Sequence, residues 1–159
     1  MISLHTKTGR DSKVLSSKKD RDSVRGIMSK KVITLTPTRK TIDALEAMVK
    51  KDIGAVVIME RGKLYGIITE RDIVRKITKD FDYLDTPLKE TASRPLVTVT
   101  PGTPIWEAFA KMLRNKIRRL PVVKDEKLVG IVTERDLFKW AVRIAYEPNL
   151  PEDVRKLVS

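Results

Sequence analysis

Cysteine is absent from the 159-residue chain, glutamine does not occur, and the only histidine is His5. Without cysteine there can be no disulfide, thiolate metal site or thiol nucleophile. With its one histidine in a polar N-terminal stretch, the chain offers no Ser/His arrangement, and neither H-E-x-x-H nor the P-loop pattern occurs. Glu70 and Asp72 could touch Mg²⁺ through a nucleotide phosphate, but no dedicated metal site is expected. No catalytic residues are assigned, and the chain reads as a binder rather than an enzyme. No apolar run approaches the roughly 20 residues needed to cross a membrane. The N-terminus lacks the apolar core of a signal peptide, so a cytoplasmic location is expected. Asparagine is limited to Asn115 and Asn149, while charged residues make up 34% of the chain. That bias is typical of proteins from hot environments.

What is abundant is positive charge. The formal net charge is +12, and the first 31 residues carry nine Lys or Arg against three Asp, giving 9 − 3 = +6. The stretch before Val24 has few apolar residues and no helical or strand period. Residues 1–23 are therefore expected to form a basic flexible tail. Such a tail is either a solvated, solubilising segment or a contact for nucleic acid, anionic lipid or an acidic partner.

The chain repeats itself. Gly66-Ile67-Ile68-Thr69-Glu70-Arg71-Asp72 returns as Gly130-Ile131-Val132-Thr133-Glu134-Arg135-Asp136, at a spacing of 130 − 66 = 64 residues. At that same offset about 15 positions between Met28 and Arg75 are identical, among them Thr34/Thr98, Pro37/Pro101, Ala44/Ala108, Met48/Met112 and Ile53/Ile117. Two units of this length predict a pseudo-symmetric pair sharing a core. Each unit reads β-α-β-β-α, an α/β (α+β) architecture. Val32 to Leu35 and Leu96 to Val99 are short strands closed by Pro37 and Pro101. In the first helix Ile42, Leu45, Met48 and Val49 share a face; in its counterpart Ile105, Phe109, Met112 and Leu113 do. Thr103 is the expected cap before Pro104. Two strands then follow, joined by tight turns at Glu60 to Lys63 and at Lys124 to Lys127, and a second helix starts after Thr69 or Thr133. The units span 24–80 and 88–146, with a linker over 81–87 and an extension over 147–159 that includes a short helix from Glu152 to Val158. Trp106 and Trp140 fall at helical positions, where core or interface packing is the ordinary role.

Thr69-x-x-Asp72 and Thr133-x-x-Asp136 each read, taken alone, as a helix capping box. Gly66 and Gly130 read as sites of close packing in a strand. Capping does not require Arg71 and Arg135, yet both are repeated. A helix N-terminus beside an Arg favours an anion, and a neighbouring carboxylate suits the paired hydroxyls of a ribose.

These pieces together resemble a tandem pair of cystathionine-β-synthase (CBS) domains, also called a Bateman module. The resemblance covers about residues 24 to 146. It is carried by Ile27-Met28-Ser29, Val32 to Pro37 and Gly66 to Asp72 in the first copy. In the second it is carried by Leu96 to Pro101, Ile117 to Val122 and Gly130 to Asp136. It implies two repeats packed through their sheets, with clefts between them for adenosine-containing ligands such as AMP, ADP, ATP or S-adenosylmethionine, and no covalent cofactor. On that pattern Asp72 and Asp136 accept from ribose hydroxyls, and Thr69 and Thr133 touch ribose or phosphate. Thr34 and Thr98, with Ile33 and Val97, border the adenine. Val56, Val57, Leu120 and Pro121 form apolar walls. Arg118 and Arg119 take phosphate, with Arg71 and Arg135 adding charge. The first copy has Gly54 and Ala55 where the second has Arg118 and Arg119, so the clefts should bind unequally. The sequence leaves open which cleft receives the pair.

The favoured reading is a non-catalytic regulatory sensor acting on a separate effector protein. A homodimer is expected, with the apolar surface around Trp140 and Ile144 as its contact. The alternatives are a nucleic-acid-binding regulator working through the tail, and a purely structural dimerisation module with degenerate clefts.

Overall fold

The computed structural model describes residues 21–94, 96–146, 149 and 151–158. The expected basic tail lies outside the described residues up to residue 20. Its last positions belong to the fold: Asp22 C=O accepts from Ile105 N–H at 3.2 Å, and Ser23 bridges Pro104.

In the first repeat, β1 (Thr34–Leu35) runs parallel to β2 (Ala55–Glu60), and β2 pairs antiparallel with β3 (Lys63–Thr69). Helix α1 (Thr41–Lys51) connects β1 to β2, and α2 (Glu70–Ile77) follows β3. A 3-10 turn over Phe81–Asp85 and the short α3 (Leu88–Thr91) lead into the second repeat. There α4 (Ile105–Asn115) precedes the β4 (Arg119–Lys124) and β5 (Lys127–Thr133) hairpin, and α5 (Glu134–Tyr146) follows. The expected helix α6 (Glu152–Val158) closes the described chain. The strand expected over Leu96 to Val99 is reduced to one parallel bridge, Val99 to Val122. Both hairpins shift register at the same relative place, Ile58/Met59 and Val122/Val123, so the repeat extends to backbone irregularity.

The inward face of the first helix differs from the periodic one expected. Thr41, Ala44 and Met48 are buried, while Val49 is 77% exposed. In α4 the buried set is Ile105, Ala108 and Met112, and Trp106, Phe109 and Leu113 face outward. Small Ala44 and Ala108 let each helix sit close to its sheet, which rotates the larger apolar residues out. Thr103 does not cap α4. Its Oγ1 accepts from Thr100 N–H at 3.0 Å, and Pro104 takes the position before the helix. Trp140 packs against the second core, with its Nε1 buried and unpartnered among the described residues, whereas Ile144 is exposed.

The described residues form two cores, and each is completed by the other repeat's leading segment. Leu88 is buried among Ala44, Met48, Val56, Ile58, Ile68 and Ile73 of the first repeat. Its counterpart 64 positions earlier, Val24, is buried among Val99, Ala108, Met112, Leu120 and Val132 of the second. Backbone bonds follow the same exchange. Leu88 N–H donates to Arg39 C=O at 2.8 Å, and Val24 N–H to Thr103 C=O at 2.9 Å. Ser93 pairs with Ile67 and Ser29 with Ile131, so each lead-in segment also extends the opposite sheet. Strands β3 and β5 lie against each other where the repeats meet.

Candidate functional site

Two clefts form along this junction, and each draws on both repeats. Cleft A has a volume of about 260 Å³. One side is the end of β3 and start of α2, with Ile67, Thr69, Arg71, Asp72 and Arg75. The other is the second repeat's Val97, Lys116, Arg118, Arg119 and Pro121. Cleft B, about 410 Å³, inverts the arrangement: Thr133, Arg135 and Asp136 face Ile33, Asp52, Gly54 and Ala55, with Arg118 and Arg119 again at the border. Both volumes are of the order of a small-molecule site, about 300 Å³ and upward.

The T-E-R-D segments build the same device twice. Thr69 N–H and Thr69 Oγ1–H both donate to Asp72 Oδ2, at 3.0 and 2.7 Å, and Asp72 N–H donates back to Thr69 Oγ1 at 3.3 Å. The corresponding distances for Thr133 and Asp136 are 2.8, 2.6 and 3.3 Å. These are complete capping boxes. They also orient the carboxylates: one oxygen takes both local donors, and Oδ1 has no partner among the described residues. A fixed carboxylate with a free oxygen at a helix N-terminus can accept from a hydroxyl pair. Asp72 is also felt by Tyr83. Burial first, and then the Asp72 charge, push the Tyr83 hydroxyl above its ordinary pKa, against a hydrogen bond with Thr91.

The repetition of glycine at positions 66 and 130 has a steric cause. A Cβ on Gly130 would come within 2.8 Å of Ser29 C=O, and one on Gly66 within 2.9 Å of Ala92 Cβ and 3.3 Å of Ser93 C=O. The exchanged lead-in segments cross the strands at these points. Gly54 differs: a Cβ there would overlap the Arg119 guanidinium and approach Glu70. Arg119 thus reaches over the first repeat's Gly54 toward Glu70. Burial pushes its pKa down; Glu70 opposes this, Arg118 adds to it, and Asp72 and Glu134 oppose it more weakly. Arg118 turns the other way, with Nε 3.5 Å from Glu134 Oε2, both side chains largely exposed.

Of the residues expected at the site, Thr69, Arg71, Asp72 and Pro121 line cleft A, and Thr133, Arg135 and Asp136 line cleft B. Arg118 and Arg119 border both. The rest are elsewhere. Val56, Val57 and Leu120 are wholly buried behind the clefts. Thr34 is exposed and lines neither, and Thr98 lines a separate groove beside Thr100 and Lys111. Their neighbours Ile33 and Val97 line the clefts instead, together with Val32 and Leu96. Asp52 and Lys116, not anticipated, enter the clefts from the ends of α1 and α4. The available signal was their equivalence at the repeat offset with opposite charge. Among the described residues no helix is long and apolar enough to cross a membrane, and no group of three or more Asp, Glu or His is placed to hold a metal.

Comparison with known proteins gives the geometry a family. The CBS domain model matches residues 24–79 and again 88–143. The chain is 34% identical over 137 residues to the uncharacterized protein MJ1225 of Methanocaldococcus jannaschii, covering 82% of this chain and 49% of that protein. It therefore spans about half that relative's length. It is 36% identical over 115 residues to the CBS domain-containing protein YhcV of Bacillus subtilis, covering 72% of this chain and 82% of that one. Among solved structures, the CBS domain pair of protein MJ0100, in complex with 5′-methylthioadenosine and S-adenosyl-L-methionine, superposes with a TM-score of 0.68. Its identity is 30%, and the match covers 74% of this chain and 93% of that one.

Proposed function

Since the chain belongs to the CBS domain family, with two such domains in tandem, we propose that it is a non-catalytic regulatory module binding adenosine-containing small molecules in clefts A and B. The observation that carries this reading is the pair of oriented carboxylates. Asp72 and Asp136, each held through Oδ2, line clefts whose opposite walls come from the other repeat. A ribose accepted at such a carboxylate places its base against Val97 and Pro121 in cleft A, and against Ile33 in cleft B. A bound molecule then touches both repeats and stabilises their docked arrangement, which is how binding would be passed to an effector protein. The adenosyl ligands held by the MJ0100 domain pair support this ligand class. Calorimetric titration of the native chain with AMP, ADP, ATP, S-adenosylmethionine and NAD tests it. At least one ligand should bind, and Asp72→Asn or Asp136→Asn should weaken it about tenfold. Asn keeps an acceptor for the cap, so thermal melts should change little. A folded chain that binds none of the five ligands would overturn the reading.

The same reading includes a homodimer. Trp106 (69% exposed) and Leu113 (62%) on α4 and Phe138 (68%) on α5 are exposed, and the two helices touch. An apolar surface of this kind is what a second copy covers. Light scattering of the native protein should give twice the chain mass. Trp106→Asp with Phe138→Asp should halve it; an unchanged mass, or a native monomer, removes the dimer from the reading.

A further inference from the structure

The two clefts share their T-E-R-D walls and differ in what faces them. Residues 64 apart correspond, so the Lys116-Ile117-Arg118-Arg119 edge of cleft A is matched in cleft B by Asp52-Ile53-Gly54-Ala55. Asp52 and Lys116 end helices α1 and α4 in the same left-handed conformation, with φ of 51° and 52°. Backbone geometry thus holds one acid and one base at equivalent points of equivalent clefts. The remaining charges follow. In cleft A five cations (Arg71, Arg75, Lys116, Arg118, Arg119) oppose Glu70 and Asp72. In cleft B the cations Lys31, Arg118, Arg119 and Arg135 oppose Asp52, Glu134 and Asp136. Arg118 and Arg119 border both, but their dispositions differ. Arg119 leans across Gly54 of cleft B toward Glu70 of cleft A, and Arg118 is paired with Glu134 of cleft B. What separates the clefts is therefore the helix-end charge, Lys116 in cleft A and Asp52 in cleft B.

We propose that the clefts divide adenosine ligands by charge: cleft A takes a 5′-phosphorylated nucleotide, and cleft B takes a nucleoside whose 5′ substituent is neutral or cationic, such as a thioether or sulfonium. The proposal rests on the adenosyl-ligand reading above and adds the chemistry at the 5′ end. In cleft A, Lys116 and Arg119 supply a point charge and a planar fork suited to phosphate oxygens. In cleft B, Asp52 repels phosphate and attracts a sulfonium.

Charge exchange at the two helix ends tests it. Lys116→Asp and Asp52→Lys each install the residue that the other repeat already carries in the same backbone conformation, so both variants should fold; circular dichroism melts check this. Titrations use ADP, 5′-methylthioadenosine and inorganic tripolyphosphate. Lys116→Asp should weaken ADP and tripolyphosphate about tenfold at low salt and leave 5′-methylthioadenosine unchanged. Asp52→Lys should leave the first ADP site intact and add a second equivalent of ADP. If Lys116→Asp leaves ADP unchanged, or weakens both nucleosides equally, the division by charge is wrong while adenosyl binding stands. If tripolyphosphate binds in a Lys116-dependent way and no nucleoside binds, the adenosyl reading fails and the anion site of cleft A survives. If nothing binds the native chain, both fall.

Discussion

Glycines at three places in this chain answer to different neighbours, and substitution should separate them. At Gly130 a methyl group meets the backbone carbonyl of Ser29 at 2.8 Å and Met28 Sδ at 2.9 Å. Backbone held in a cross-repeat pairing cannot step aside cheaply, so Gly130→Ala should destabilise by about 1–3 kcal/mol in urea unfolding. At Gly54 the obstacle is the far end of the flexible Arg119 side chain. Gly54→Ala should change stability by less than about 1 kcal/mol, because Arg119 swings away. Equal costs at the two positions would contradict this assignment of neighbours. The sequence aligned Gly66 with Gly130 and pointed to close packing. It could not distinguish a glycine under a crossing backbone from one under a guanidinium, because the obstructing atoms lie 27 to 101 residues away in the chain (54 to 119, 66 to 93, 130 to 29).

Element by element, local rules explain most of what forms and less of how it faces. Both hairpins close with two residues at positive φ, Arg61-Gly62 and Asp125-Glu126. That is the geometry a two-residue loop needs to follow strand twist. The T-x-x-D caps form as the spacing requires, because their partners lie within one turn. Helical periodicity was a weaker guide. It put Val49 and Leu113 on the inward face, whereas the sheets take Ala44 and Ala108 there. The largest apolar residues are not the innermost when two small ones permit closer contact. The left-handed ends at Asp52 and Lys116 were equally hidden, since glycine is the usual residue at such a position. Those two helix ends bring the opposite charges into the clefts.

At the scale of the molecule, the sequence repeat and the packed unit are not the same object. The repeated segment beginning at Val24 carries its first apolar residue into the second repeat's core, and the one beginning at Leu88 carries its own into the first. Truncation should expose this. Removing residues 1–20 leaves every contact described here and should leave the melting temperature unchanged. Removing residues 1–28 also takes away Val24, Ile27 and Met28, all packed on the second core. Burying one such side chain is worth about 1.5–3 kcal/mol, so the longer truncation should melt well below the shorter one. Identical melts would mean that the exchange contributes nothing to stability.

The 64-residue repeat, the order of strands and helices, the capping boxes and the identity of the carboxylates are set by contacts between near neighbours, or by duplication visible as identity. The sequence by itself determined those. Tertiary structure decided which residues share a cleft. It placed Thr69 and Asp72 opposite Arg118 and Arg119, turned Ile33 and Val97 inward instead of Thr34 and Thr98, and took Val56, Val57 and Leu120 into the cores. The physical reason is the exchange of lead-in segments across a pseudo-two-fold junction. It assembles each cleft from both repeats, through contacts that no local pattern in the chain records.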